Sequence, residues 1–210
     1  METSSLPEHR SEAEPAALPK ELIEWLSLPE EEQVELLDGR LVYKAMSRPQ
    51  HGAGMAGVVG QFLRFQGPPK PDGGGGWWLS LDTQMLLAGQ GLRPDVVGWR
   101  ADRHPRPPRR VNVRKHLGVV AEPPDWVCEV LSRSTSHRDR GVKWRAYHQA
   151  GVEHYWLVDL RSERITVYRR TATGYEVVTE VGRNDVVPLP PFESVEFVAE
   201  LVFLLNEPEE

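Results

Sequence analysis

The chain has 210 residues, 40% of them hydrophobic, and a single cysteine, enough for one substantial core and too little sulfur for a disulfide framework or a cysteine-rich zinc site. Its formal charge of −6 argues against a polyanionic partner only if the charge is spread evenly. It is not: residues 1–40 carry 11 acids against 3 bases and residues 192–210 carry 6 acids and no base, so residues 41–191 hold 22 bases against 14 acids, a surplus of 8.

Residues 1–18, rich in Glu, Ala and Pro, read as a disordered acidic segment without the apolar core of a secretion signal. Residues 19–205 read as one domain. A short helix is expected over Lys20–Ser27, and Pro29 followed by three glutamates fits a further helical turn. VELL-DG-RLVYKA then reads as a hairpin, with Asp38-Gly39 between two apolar runs. From Pro49 to Gln66 the apolar positions Met55, Val58, Val59, Phe62, Leu63 and Phe65 recur at helical spacing. The Gly73–Gly76 run lacks the lysine and hydroxyl of a phosphate loop and reads as a flexible connection.

Strands are expected over Trp77–Leu87, with a break, and over Pro94–Arg100 and Asp125–Leu131, followed by a helix from Thr135 to Ala150 that Gly151 terminates. Strands over His154–Asp159, Arg164–Arg170 and Tyr175–Glu180 and a short C-terminal helix through FVAELVFLL complete the chain. This order gives an α/β (α+β) domain: a mixed sheet flanked by helices, with an N-terminal helix and hairpin.

In WVCEVLS, strand alternation puts Val127, Glu129 and Leu131 on one face and Trp126, Cys128 and Val130 on the other. Both faces are apolar, so the strand is central, and a carboxylate there costs several kcal/mol unless a cation or hydrogen bonds compensate it. Asp95 in RPDVVGW is a second acid at the entry to a strand. Lys143 lies on a helix face that it shares with Ala146, Tyr147 and Ala150, and is placed to reach back towards the preceding strand; its competing role is a surface pair with Asp139 one turn earlier. Cys128 reads as a small core residue. Two acids and an ammonium on consecutive elements suit metal-assisted cleavage of a phosphodiester.

RPDVVGW, PPDWVCEVLSRSTSHRDRGVKWRAYHQAGVEHYWLVD and the earlier VELLDGRLV with its downstream histidine together resemble the restriction endonucleases of the Uma-two type, within the PD-(D/E)xK nuclease superfamily. The resemblance runs from about Glu30 to Tyr168. It implies a restriction endonuclease-like core with Asp95 and Glu129 as the motif acids, both of them metal ligands. Leu131 stands where the superfamily places its lysine, which points to Lys143 as the catalytic ammonium. Glu35, His51, Ser132, Asp139 and Tyr147 fall in the matching stretches as supporting residues.

The implied function is an endonuclease that hydrolyses nucleic acid, DNA foremost, with Mg²⁺ as cofactor and Mn²⁺ as its substitute. Positive charge is concentrated around the acids: residues 100–116 contain seven bases and 133–145 five. Arg109, Arg110, Arg114, Lys115, Arg138 and Arg140 are the expected contacts to the phosphates. A symmetric homodimer would suit two-strand cutting. No stretch approaches the roughly 18 apolar residues of a membrane span, so a cytoplasmic protein without a membrane partner is expected. The alternatives are a catalytically inactive nucleic-acid-binding module, whose binding would survive metal removal, and a protein-interaction module on the same fold.

Overall fold

The computed structural model describes residues 18–44, 48–111, 118–131 and 141–206. Helix α1 (Lys20–Ser27) has the expected bounds, and a single 3-10 turn follows at Glu30–Glu32. Strands β1 (Val34–Leu37) and β2 (Arg40–Tyr43) form the expected hairpin, pairing Leu37 with Arg40. Asp38 and Gly39 both take positive φ, 48° and 72°, the turn geometry that matches the right-handed twist of paired strands. Helix α2 (Pro49–Gly60) is shorter than expected; a 3-10 turn at Leu63–Phe65 carries the apolar row onward, and Phe62 stacks on Phe192 with ring centroids 4.0 Å apart.

The break expected within Trp77–Leu87 separates two sheets. Strand β3 (Trp77–Leu81) joins β6 (Val96–Arg100), β9 (Trp126–Leu131), β10 (His154–Asp159), β11 (Arg164–Arg170) and β12 (Tyr175–Gly182) in the order β12-β11-β10-β9-β6-β3. Strand β4 (Met85–Leu87) joins β5 (Gln90–Leu92), β7 (Arg110–Val111) and β8 (Val119–Val120) in a second sheet, β2-β1-β5-β4-β8-β7. Each is mixed, since β9 and β10 run parallel, as do β4 and β8. The helix expected from Thr135 is described as α3 (Val142–Ala150); residues 132–140 lie outside the described residues.

Two expectations are corrected. FVAELVFLL is helical only in part: Glu196–Val198 is strand β14, paired with β13 (Val186–Pro188), and the helical portion is a single 3-10 turn at Ala199–Val202. Cross-strand pairing of Val187 with Phe197 satisfies the backbone and still buries Phe197, Ala199, Val202 and Phe203. The Gly73–Gly76 run is a hydrogen-bonded loop, in which the Gly75 N–H donates to the Arg64 carbonyl (2.9 Å) and the Gly76 N–H to that of Gly67 (2.7 Å).

Three apolar clusters order the layers. Leu22, Trp25 and Leu26 of α1 pack on Val34 and Leu36, the outer face of the second sheet. Leu37, Met85, Leu87 and Leu92 of that sheet face Val97, Trp99, Val127, Leu131, Tyr155 and Leu157 of the first, with Ala146 and Tyr147 of α3 in the same cluster. The far side of the first sheet, through Trp126, Cys128, Val130, Trp156 and Val158, is covered by α2 and the C-terminal segment.

Helix α2 lies hard against that segment because Gly57 lacks a side chain. A Cβ there would stand 2.2 Å from the Leu201 carbonyl oxygen, a backbone atom that cannot swing aside. At Gly54 a Cβ would meet Leu160 Cδ2 at 3.2 Å and Val130 Cγ1 at 3.3 Å, both side-chain ends that yield. Gly57→Ala should therefore lose about 1–3 kcal/mol by overpacking and melt several degrees lower in thermal denaturation. Gly54→Ala, with the helix propensity of alanine in its favour, should stay near the parent.

Candidate active site

The candidate residues meet in the space between the two sheets. Along β1, Val34 and Leu36 face α1, so Glu35 turns inward beside Leu37. Along β9, Glu129 shares the inward face with Val127 and Leu131. Asp95 immediately precedes β6, and α3 lays Lys143 and Tyr147 across the opening, one turn apart. His51 comes from the first turn of α2. Glu35, Asp95, Glu129 and Lys143 are each 2% exposed, so four groups that are ordinarily solvated are buried together.

Lys143 is shared by two of the acids, and Asp95 has partners of its own. Lys143 Nζ lies 2.7 Å from Glu129 Oε1 and 3.1 Å from Glu35 Oε1. The Tyr147 hydroxyl donates to Glu129 Oε1 at 2.7 Å, and the Arg93 N–H to Glu35 Oε1 at 3.0 Å. Asp95 Oδ1 is 3.0 Å from Lys44 Nζ and 3.3 Å from His51 Nε2, while its Oδ2 accepts the Val130 N–H at 2.8 Å. Lys143 points inward to two carboxylates; Asp139, the other partner weighed for it, lies outside the described residues.

Burial alone would raise the Asp95 carboxyl, yet Lys44, His51 and the more distant Lys143 hold it well below the usual carboxylate range. Burial pulls Lys44 down, but chiefly the Asp95 carboxylate, with Glu129 and Glu35 behind it, leaves the ammonium above its ordinary value. Asp95 is thus an anion and Lys44 a cation. Burial and then the neighbouring Glu129 push the Tyr147 phenol well up, so at neutral pH it donates a proton to that carboxylate in a hydrogen bond. Cys128, buried on the opposite face of β9, is raised by burial and then by Asp95 and Glu129, and remains a thiol.

The oxygen donors suit a hard cation. Asp95 stands one residue before β6, whose first residue Val96 pairs with Cys128, the neighbour of Glu129 on β9, and among the described residues no three His, Cys, Asp or Glu side chains cluster as a complete metal cage. Two carboxylates with the remaining positions left to water and substrate is how Mg²⁺ is usually bound.

Leu131, at the superfamily's lysine position, packs into the inter-sheet core. Ser132, Asp139, Arg114, Lys115, Arg138 and Arg140 lie outside the described residues. Arg109 is exposed, and Arg110 pairs with Glu30 through both guanidinium nitrogens, at 2.7 Å for the longer contact. The sequence reading missed Lys44 and Arg93. Lys44 carried a signal: it is two residues beyond Val42, whose side chain packs on the inter-sheet core, so alternation turns both inward. Arg93 reaches Asp82 Oδ1 at 3.0 Å and the Glu30 carbonyl at 2.8 Å, which anchors the segment leading to Asp95.

No curated protein matches the chain. Among solved structures, one from Anabaena variabilis, described as a "putative nuclease belonging to DUF820", aligns with a TM-score of 0.68 at 23% identity, covering 89% of this chain and 98% of that one. At such identity the likeness establishes a shared fold. A family model described as "Putative restriction endonuclease" matches residues 19–201, a span that takes in every element from α1 to β14 and all the charged residues gathered between the sheets. The chain belongs to the Uma2 family, to which that description applies.

Proposed function

We propose that this chain is a divalent-metal-dependent endonuclease that hydrolyses phosphodiester bonds, with DNA as the substrate and Mg²⁺ as the cofactor. One observation carries the reading: Glu35 and Glu129 from two strands and Asp95 from the entry to a third converge on Lys143 and Lys44 in a buried space. Burying a carboxylate or an ammonium costs several kcal/mol per ion even after relaxation, and apolar residues of the same volume would pack as well or better. A fold that gathers five such groups at one point has a use for them beyond stability.

Asp95 and Glu129 would hold the metal. When bound, Mg²⁺ supplies an acidified water and positive charge for the transition state. Glu35 shares the Lys143 ammonium with Glu129 and fixes it over the second motif acid, where the superfamily's own lysine position holds Leu131. From there Lys143 can donate to a phosphate oxygen or to the attacking water. Tyr147 aligns the Glu129 carboxylate from the next turn of α3, and the Val130 N–H and His51 do the same for Asp95. Basic residues on the central part of the chain, Arg109 among them, would draw the polyanion to the opening, and a homodimer would bring two such sites to opposite strands.

Asp95→Asn and Glu129→Gln keep shape and remove charge. Each should reduce nicking of supercoiled plasmid at least 100-fold while leaving the far-ultraviolet circular dichroism unchanged. EDTA should abolish nicking by the parent and excess Mg²⁺ or Mn²⁺ restore it. Plasmid retention that survives EDTA and falls with salt, with no nicking under any metal, would favour a binding module.

Lys143→Ala has a second effect. It strands Glu35 and Glu129 in the core without their shared cation, a change that typically destabilises by about 3–5 kcal/mol. Its melting temperature should fall well below those of the two acid variants, and Lys143→Ala combined with Glu35→Gln should recover part of the loss.

A further inference from the structure

Arg93 touches both groups of charges through its main chain. Its N–H donates to Glu35 Oε1 at 3.0 Å, the same oxygen that meets Lys143 Nζ at 3.1 Å. Its carbonyl accepts from Lys44 Nζ at 2.9 Å, the ammonium that pairs with Asp95. The two peptide groups flanking a single Cα therefore stand between the Glu35–Glu129–Lys143 group and the Asp95–Lys44 pair, and a displacement of that Cα moves both.

The side chain holds this main chain in place. Arg93 is 8% exposed, and its guanidinium spans two points, with Asp82 Oδ1 at 3.0 Å from Nε and the Glu30 carbonyl at 2.8 Å from Nη1. Asp82 in turn donates its N–H to the Asp95 carbonyl at 3.1 Å, so a ring closes through the Arg93 side chain, Asp82, Asp95 and Pro94. Proline fixes its own φ and keeps the residue before it extended, which leaves the ring little slack. Asp82 makes both contacts at φ 50°, a region that residues other than glycine enter uncommonly and keep only where the surroundings impose it.

Glu129 belongs to one of the two groups and Asp95 to the other. Resting on the reading of these acids as the metal ligands, we infer that Arg93 is a positioning residue: clamped by Asp82 and Glu30, it sets the separation of the two groups and with it the register in which the acids and Lys143 act. The shape of the guanidinium matters here as well as its charge. A lysine would keep the charge and lose the planar fork that spans Asp82 and the Glu30 carbonyl.

The test combines plasmid nicking, followed against plasmid concentration, with thermal melting of the full chain. It compares the parent, Arg93→Ala, Arg93→Lys, Lys143→Ala and the double variant of Arg93→Ala with Lys143→Ala. Misplacing reacting groups by about 1 Å can cost about 100-fold in rate. Arg93→Ala should therefore lose about 10- to 100-fold in maximal nicking rate with half-saturation by plasmid unchanged, and Arg93→Lys should recover only part. In the melts, Lys143→Ala strands Glu35 beside the Arg93 N–H; once Arg93→Ala has let that segment relax, the same substitution should cost several degrees less. An arginine with no hold on the site would give additive shifts. Full nicking rate at saturating plasmid in Arg93→Ala, or an equal melting penalty for Lys143→Ala in both backgrounds, would overturn the inference. A parent that nicks under no metal sinks the nuclease reading alone, and the melting comparison still decides whether Arg93 sets the spacing. Should Arg93→Ala fail to fold, Asp82→Ala, which removes the clamp and leaves the arginine, replaces it in both measurements with the same outcomes.

Discussion

The architecture answers to one electrostatic constraint, the mutual neutralisation of three carboxylates and two ammoniums in the space between two sheets. None of these groups could be buried there alone, and each is supplied by a different element: Glu35 by β1, Lys44 by the residue after β2, Asp95 by the entry to β6, Glu129 by β9 and Lys143 by α3. The surrounding apolar contacts hold those elements at ion-pair distance. Trp25 of α1 donates its indole N–H to the Val34 carbonyl at 2.7 Å, which fixes β1 from outside while Glu35 faces in. On the other side the close seat of α2 at Gly57 sets the depth at which its first turn presents His51 to Asp95.

Much of this arrangement was legible in the sequence because it follows local rules. A glutamate at the centre of a strand that is apolar on both faces has few structural explanations, and Glu129 stood out for that reason. Lys143 on the apolar side of its helix was similarly informative, and the Asp38-Gly39 turn gave the hairpin that carries Glu35. The second sheet was harder to see: β7 and β8 have two residues each and β5 three, too few for alternation to register. The C-terminal segment was misread because FVAELVFLL has helical spacing over a length too short to distinguish a strand followed by a single turn. Lys44 escaped because its partner lies 51 positions away, and a contact at that range is set by sheet packing, which no local pattern encodes.

Leu131 shows how the fold accommodates a motif position without its usual residue. On a central strand, the side chain two positions beyond Glu129 shares the inward face and can serve the acid or the core. Here it serves the core, packing with Val127 and Leu157. The ammonium comes instead from α3, which crosses the same opening and adds the Tyr147 hydroxyl from its next turn. Strand and helix have divided the work, with packing given to one and charge to the other.

That division has a consequence for the order in which the site is assembled. Glu35 and Lys44 leave the ribosome early, Asp95 and Glu129 follow, and Lys143 emerges only when most of the domain has been made. Without α3, Glu35 and Glu129 lack the ammonium they share, while Asp95 keeps Lys44. The group of charges between the sheets is therefore complete only once α3 has been made and packed against them.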